Sequence, residues 1–543
     1  MVLLAHLFKG CLVWSVITPL TRARPGGRNE LPKLLDATVV ELAEGLEKGR
    51  FSSVDLVGAY IGRILEVNAT LHMVTELNPD ALEIAKGLDE ERIAGKCRGP
   101  LHGLPILIKN NIATFDRMNN TAGSFSLLGA QVPRDATVAA KLRKAGAIIL
   151  GKTNLSQWAN FRSSNSSNGW SAYGGQTYGA YYPGQDPSGS SSGSGVSSSL
   201  GLAVACLGTE TDGSIISPSQ VNNLVGIKPS VGLTSRSLVI PISEHQDTVG
   251  PMARTVKDAA YLLQAIAGPD SYDNYTSDIP FNTSSFPDYV SACTLDGLKG
   301  KRIGVPRNYI ADSPAPILAA FESALCVLRK AGATIVDNTN YTAYAQYVNS
   351  NAEGIVLNAD FVANLKSYLD QLTFNPIGVK DLGDVTDFTK RFLSEQYPNR
   401  NTAIFEESLA LNFTNTSPEF WATYQYDLYL GGEGGILGAL SKYSLDAVVT
   451  PSDVSPGISA IIGAPVVTVP MGAYPANTTV TTNRRGDLNA TAPNIPFGIS
   501  FSGARWSEKT LVGMAYAFEQ RTKVREKVKP YLLPKTELED LFR

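Results

Sequence analysis

The stretch PSGSSSGSG, residues 187–195, puts five serines into the seven positions from Ser188 to Ser194, and VSSSLGLAVACLGTETDGSI, residues 196–215, follows it directly. By composition the first segment is flexible coil with nothing to bury. The second is small, apolar and almost free of charge until Glu210, as buried segments are. A linker leads to polar surface, so a Gly/Ser run that opens straight into core reads as part of a packed site. The segments on its N-terminal side set the fold class: LPILIK (104–109) reads as a buried strand, DATVAAKLRKAG (135–146) as a helix and AIILG (147–151) as the next strand. That alternation predicts an α/β fold.

Further out, two amphipathic helices are expected between Asp36 and Leu71, each opened by a capping pattern, Thr38-x-x-Glu41 and Ser52-x-x-Asp55. Towards the C-terminus DAVVTP (446–451), APVVTVP (464–470) and PFGISFSG (496–503) read as short buried strands, followed by a helix from Glu508 to about Lys527. Residues 270–295 and 335–430 are richer in Asn, Thr, Tyr and Asp with weaker periodicity, and are expected to be insertions covering the core. Residues 30–543 are therefore read as one domain.

The 543 residues carry a net charge of -3 and 18% charged side chains, below the roughly 25% usual for soluble domains. There is no basic run of the kind that binds nucleic acid. The N-terminus, MVLLAHLFKGCLVWSVITPLTRA, has a short lead to Lys9, an apolar run from Cys11 to Leu20 and a small-residue exit at Ala23, which predicts a signal peptide over residues 1–23 and secretion. The alternative is an uncleaved membrane anchor. No membrane association is expected after cleavage. Eleven Asn-x-Ser/Thr sequons agree with export and N-glycosylation, among them Asn154, Asn274, Asn282, Asn415 and Asn477. The five cysteines have no metal spacing, and four of them follow the leader, enough for two disulfides of unassigned pairing. Histidine is limited to His6, His72, His102 and His245.

GSSSG (189–193) matches the nucleophile elbow G-x-S-x-G and nominates Ser191, with His245 the only histidine downstream. The preceding AYYPGQDPS (180–188) reads as loop, where the elbow requires a strand. A second constellation is Lys109, ending the apolar strand of GLPILIKNNI, and Ser214, on a tight turn in GTETDGSIISP. With PSGSSSGSG between them and GIKPSVGLTS after, these segments resemble the amidase signature family of Ser-cis-Ser-Lys hydrolases, from about residue 35 to the C-terminus.

The resemblance implies a single large domain with a central mixed β-sheet covered by helices. It places the catalytic lysine at Lys109, the bridging serine of the cis peptide at Ser190, and the acyl-forming nucleophile at Ser214, 24 residues on. It further implies an oxyanion hole from the N–H groups of Thr211, Asp212, Gly213 and Ser214, substrate contacts at Ala159 and Ser191, and no metal or cofactor. Lys109 must be neutral to accept a proton, which asks for a pKa lowered by about three units from 10.4. Most of the family has Asp-x-Gly-Gly-Ser-Ile-Arg where this chain has Glu210-Thr-Asp-Gly-Ser-Ile-Ile. The Asp–Arg support of the turn is therefore expected to be missing.

GKTNLSQWANFRS (151–163) and PISEHQDTVGPMAR (241–254) resemble the peptide amidase branch, so the expected substrate is a small-molecule or peptide amide, plausibly a C-terminal peptide amide. Aliphatic, aryl or fatty amides, and a catalytically silent binding protein on the same fold, are the alternatives. The chain is expected to act as a monomer or homodimer.

Overall fold

The computed structural model describes residues 31–542, so the expected leader at 1–23 lies outside the described residues. Eleven strands form one sheet: β1 (Val74–Leu77), β2 (Pro105–Lys109), β3 (Ile148–Thr153), β4 (Ala205–Glu210), β5 (Val225–Lys228), β6 (Thr248–Ala253), β7 (Arg302–Val305), β8 (Thr334–Asp337), β9 (Ala447–Pro451), β10 (Val466–Ala473) and β11 (Pro496–Ser502). Their spatial order is β1-β3-β2-β4-β6-β5-β10-β11-β9-β7-β8. The sheet is mixed: β3, β2 and β4 run parallel, as do β9, β7 and β8, while the centre from β4 to β9 pairs antiparallel. Strands β2, β3 and β4 are buried along their whole length, which explains why they read as continuous apolar runs rather than alternating ones.

The two N-terminal helices, Val39–Glu47 and Ser53–Leu71, start where the capping patterns place them, each with its capping box formed. The C-terminal helix differs from expectation: it ends at Thr522, because Lys523 turns left-handed (φ 45°) before a short helix at Val524–Lys527.

A larger difference lies in the middle of the chain. The weakly periodic 335–430 region contains the helices Ala352–Leu369, Leu382–Arg391, Ala403–Leu409 and Pro418–Gly431. Ala352–Leu369 and Pro418–Gly431 pack on neighbouring helices as well as on the core, so their apolar residues spread around the axis, whereas Leu382–Arg391 buries a single stripe of Leu382, Val385, Thr386 and Thr389. Among the described residues no helix is long and apolar enough to cross a membrane. The four cysteines after the expected leader, Cys97, Cys206, Cys293 and Cys326, are all free.

The Gly/Ser run is packed structure. Ser192–Ser199 forms a helix buried at every residue, and its small side chains are what close approach to the sheet demands. A Cβ on Gly193 would lie 2.3 Å from the Met73 carbonyl oxygen and 2.6 Å from both Asn154 N and O. The serines offset their own burial by bonding to the neighbouring strands: Ser194 Oγ donates to Leu207 O (3.0 Å) and Ser198 Oγ to Met252 O (2.9 Å).

Candidate active site

Strands β2 and β4 are parallel neighbours, with Ile108 beside Leu207, so Lys109 ends one strand next to Thr209 on the other. Lys109 is fully buried. Its Nζ lies 2.7 Å from Ser190 Oγ, 2.8 Å from Thr209 Oγ1 and 3.1 Å from Thr209 O. No carboxylate is among these partners. Burial pushes its pKa down from 10.5 to about 7, against the more distant charges of Asp247 and Glu210, which act to raise it. A neutral amine has two hydrogens and one lone pair; donating both hydrogens to Thr209 leaves the lone pair for the Ser190 hydroxyl. Asn111 Nδ2 donates to Thr209 Oγ1 (3.0 Å) and fixes that side chain.

Ser190 follows a cis peptide bond at Gly189–Ser190 and is fully buried. Its carbonyl accepts from Ser156 N at 3.0 Å. Ser191, expected at the substrate, instead turns its Oγ into the sheet, donating to Thr209 O at 3.1 Å and accepting from Thr209 N at 3.3 Å. Its backbone N–H donates to Ser214 O at 3.2 Å and ties the loop to the Ser214 turn. No hydrogen bond joins the Ser190 and Ser214 hydroxyls in this state.

Ser214 is 7% exposed and follows Gly213, whose φ of 78° is a conformation glycine adopts without a Cβ clash. The turn does have a carboxylate support. Glu210 Oε2 accepts from Ile215 N (2.7 Å) and Ile216 N (2.9 Å), and the same carboxylate attracts the Gly213 N–H. The expected loss of support is thus corrected: the longer Glu210 side chain reaches the backbone itself, and the buried Lys228 on β5 supplies the nearby cation. The N–H groups of Thr211, Asp212 and Ser214 have no partner among the described residues, so they are available to an incoming oxyanion.

The model of the amidase family matches residues 55–512. The chain belongs to the amidase family. A protein of Arthroderma benhamiae named as an amidase is 55% identical over 536 residues, covering 94% of this chain and 90% of that one. The structure of a peptide amidase from Stenotrophomonas maltophilia superposes with a TM-score of 0.81 at 37% identity, covering 92% of this chain and 99% of the other. A peptide amidase held with the competitive inhibitor chymostatin gives the same TM-score and coverage at 38% identity. As an amidase, the protein hydrolyses an amide carbon–nitrogen bond.

The rest of this amidase site was less legible in sequence. Thr211 Oγ1 donates to Asp247 Oδ1 (2.6 Å), and Asp247 Oδ2 accepts from Ile242 N (2.8 Å) and Ser243 N (3.1 Å), so the PISEHQD loop holds the Thr211–Ser214 turn. Ser243 Oγ and Gln246 Nε2 in turn donate to Asp360 (2.5 Å) and Glu353 (2.8 Å) on the Ala352–Leu369 helix, inside the region expected to be an insertion. Ala159, half-buried, borders a small cavity with Asn111, Thr209, Thr211 and Asp247.

His245 serves no serine. Its Nδ1 bonds Asp360 Oδ2 (2.8 Å) among the rings of Phe420, Trp421 and Tyr424, which removes the elbow reading built on Ser191. Glu244, His245 and Asp360 stand close enough to ligate an ion, but Asn415 Nδ2 already donates to Glu244 (2.9 Å) and Asp360 (3.2 Å).

Proposed function

We propose that the protein is a secreted hydrolase of primary carboxamides that works through Ser214, Ser190 and Lys109, and that its substrates are C-terminal amides of peptides. The observation that carries this reading is the buried Lys109 amine, 2.7 Å from Ser190 Oγ and shifted to about 7 without a carboxylate partner. Ser214 Oγ attacks the amide carbon as the C=O π bond opens, and its proton passes through Ser190 to the lone pair of Lys109. The oxyanion forms against the N–H groups of Thr211, Asp212 and Ser214, that of Gly213, also expected there, being turned to Glu210. Collapse breaks the C–N bond, the proton returns through Ser190 to the leaving nitrogen, and ammonia departs. Water then repeats the sequence on the acyl-enzyme and frees the carboxylate.

The similarity to structures of peptide amidases supports the peptide-amide substrate. Secretion is supported by sequon asparagines on exposed positions, including Asn274, Asn282 and Asn477. The test is ammonia release from a dipeptide amide, an aryl acetamide and a long-chain fatty amide, with Ser214→Ala as blank. Release confined to the dipeptide amide is the expected result. Turnover of the other amides alone replaces the substrate, and silence across the panel removes the enzyme reading.

A further inference from the structure

Beside the nucleophile turn stands a group of carboxylates that none of the hydrolytic steps uses. Asp212 is exposed to solvent, yet protein surrounds it closely enough that burial, joined by the charges of Glu353 and Glu210, pushes its carboxyl well up. Asp212 therefore stands at the solvent-facing end of this group. Glu353, near the start of the Ala352–Leu369 helix, and Asp427, on the Pro418–Gly431 helix, complete the group. Burial moves both to about 7, and the charge of Asp427 adds to the rise of Glu353.

The acceptors here are unfilled. Asp427 is 1% exposed and makes no side-chain hydrogen bond among the described residues, and its Oδ2 is shut off from solvent without a partner. Gln246, also 1% exposed, spends its Nε2 on Glu353 and leaves its Oε1 unpartnered beside the same carboxylate. Unpaired buried acceptors are costly, and a donor with positive charge is what relieves them. Two tyrosines stand nearby. Tyr309 and Tyr347 both feel the charge of Asp212, and Tyr347 also feels those of Glu353 and Asp427. Both tyrosine hydroxyls border Gly457, and the adjoining Pro456 Cγ lies 3.5 Å from where a Gly213 Cβ would stand, which sets this pair against the nucleophile turn. Protein cations do not fill the site. Lys228 acts on Asp212 but commits its Nζ to Ala464 O (2.7 Å), and no cation acts on Glu353 or Asp427.

We propose that this group of carboxylates binds a cationic group of the substrate, a primary ammonium carried close to the scissile amide, so that the enzyme selects amides bearing a free amine or a basic side chain. The inference rests on the amide-hydrolase reading above. Carboxylates with unfilled acceptors form a site for an ammonium ion. Asp212 lies two residues before Ser214, so a cation held there is within a short side chain of the acyl carbon.

The test is calorimetric binding to Ser214→Ala of three compounds: Nα-acetyl-norleucinamide, which is neutral, norleucinamide, whose cation is the α-ammonium, and Nα-acetyl-lysinamide, whose cation is the side chain. The expected result is that at least one cationic compound binds about tenfold more tightly than the neutral one, the size of one charge-assisted hydrogen bond. Whichever arm shows the gain identifies the source of the cation. The ratio is expected to fall to about one when Asp427→Asn or Glu353→Gln is added. A neutral compound that binds as well as both cations, or a preference that survives both added substitutions, overturns the proposal. Ammonia release by the unsubstituted enzyme reports the underlying reading separately: equal rates on all three compounds sink the cation site and leave hydrolysis standing, whereas silence on all three removes the hydrolase reading and the inference with it.

Discussion

Lys109 is expected to impose an acid limb on kcat/KM. A lysine at its ordinary 10.5 that moves to about 7 has lost about 5 kcal/mol of preference for its charged form, and burial at zero exposure is the leading cause. The sign follows from the amine's role as proton acceptor. Above about 7 it is mostly neutral and competent; each pH unit below that removes about tenfold of the neutral form, leaving roughly 1% at pH 5. The measurement is ammonia release at subsaturating substrate from pH 5 to pH 9, with tryptophan fluorescence recorded alongside to show that the protein stays folded. Lys152, Glu353 and Asp427 also titrate near 7, so Lys152→Gln, Glu353→Gln and Asp427→Asn are run in parallel and are expected to retain the limb. Lys109→Met and Lys109→Arg are expected to be inactive at every pH, the first without a base and the second with one that stays charged. A flat wild-type profile from pH 5 to pH 8, or turnover by folded Lys109→Met near the wild-type rate, refutes the lysine-base reasoning.

Ser190→Ala removes the hydroxyl between Lys109 and the nucleophile turn, and is expected to lower kcat by a factor of about 10² to 10⁴, typical of a lost acid–base step, while slow acylation of Ser214 persists under mass spectrometry. Glu210→Ala leaves the N–H groups of Ile215 and Ile216 unpartnered, at about 1–3 kcal/mol each, so a lowered melting temperature together with lost activity is expected, and an unchanged melt argues against the carboxylate as the support of the turn. After expression through a secretory route, peptide mapping is expected to find Asn154 and Asn415 unglycosylated. Asn154 Nδ2 is committed to Gly169 O (3.1 Å) and Gly175 O (3.0 Å), and Asn415 Nδ2 to Glu244 and Asp360, so a glycan at either would have to break buried hydrogen bonds.

Much of the framework was legible in the chain. Strands β2, β3, β9, β10 and β11 fall on the apolar runs that predicted them, since a strand buried on both faces must be apolar throughout, and β4 lies in the segment read only as buried. Both N-terminal helices begin at their capping boxes because those bonds form between residues three apart. The helices between 352 and 431 escaped: in Ala352–Leu369 and Pro418–Gly431 packing on several sides spreads the buried residues around the axis, and in Leu382–Arg391 two of the four buried positions are threonines, Thr386 and Thr389. Ser191, placed at the substrate by the resemblance, differs because only the strand beside it shows its hydroxyl bonded to Thr209.

By itself, the sequence determined the fold class, the strand-end lysine, the Gly/Ser run opening into core and the serine turn, because each of these is written in residues close together along the chain. The tertiary structure alone decided that Lys109 meets Ser190 across 81 positions and Thr209 across 100, that Glu210 folds back onto its own turn, and that Asp247 bonds Thr211 while Gln246 reaches Glu353. Those contacts join strands and helices far apart in the chain, and the lysine's shifted acidity exists only once their packing has excluded water.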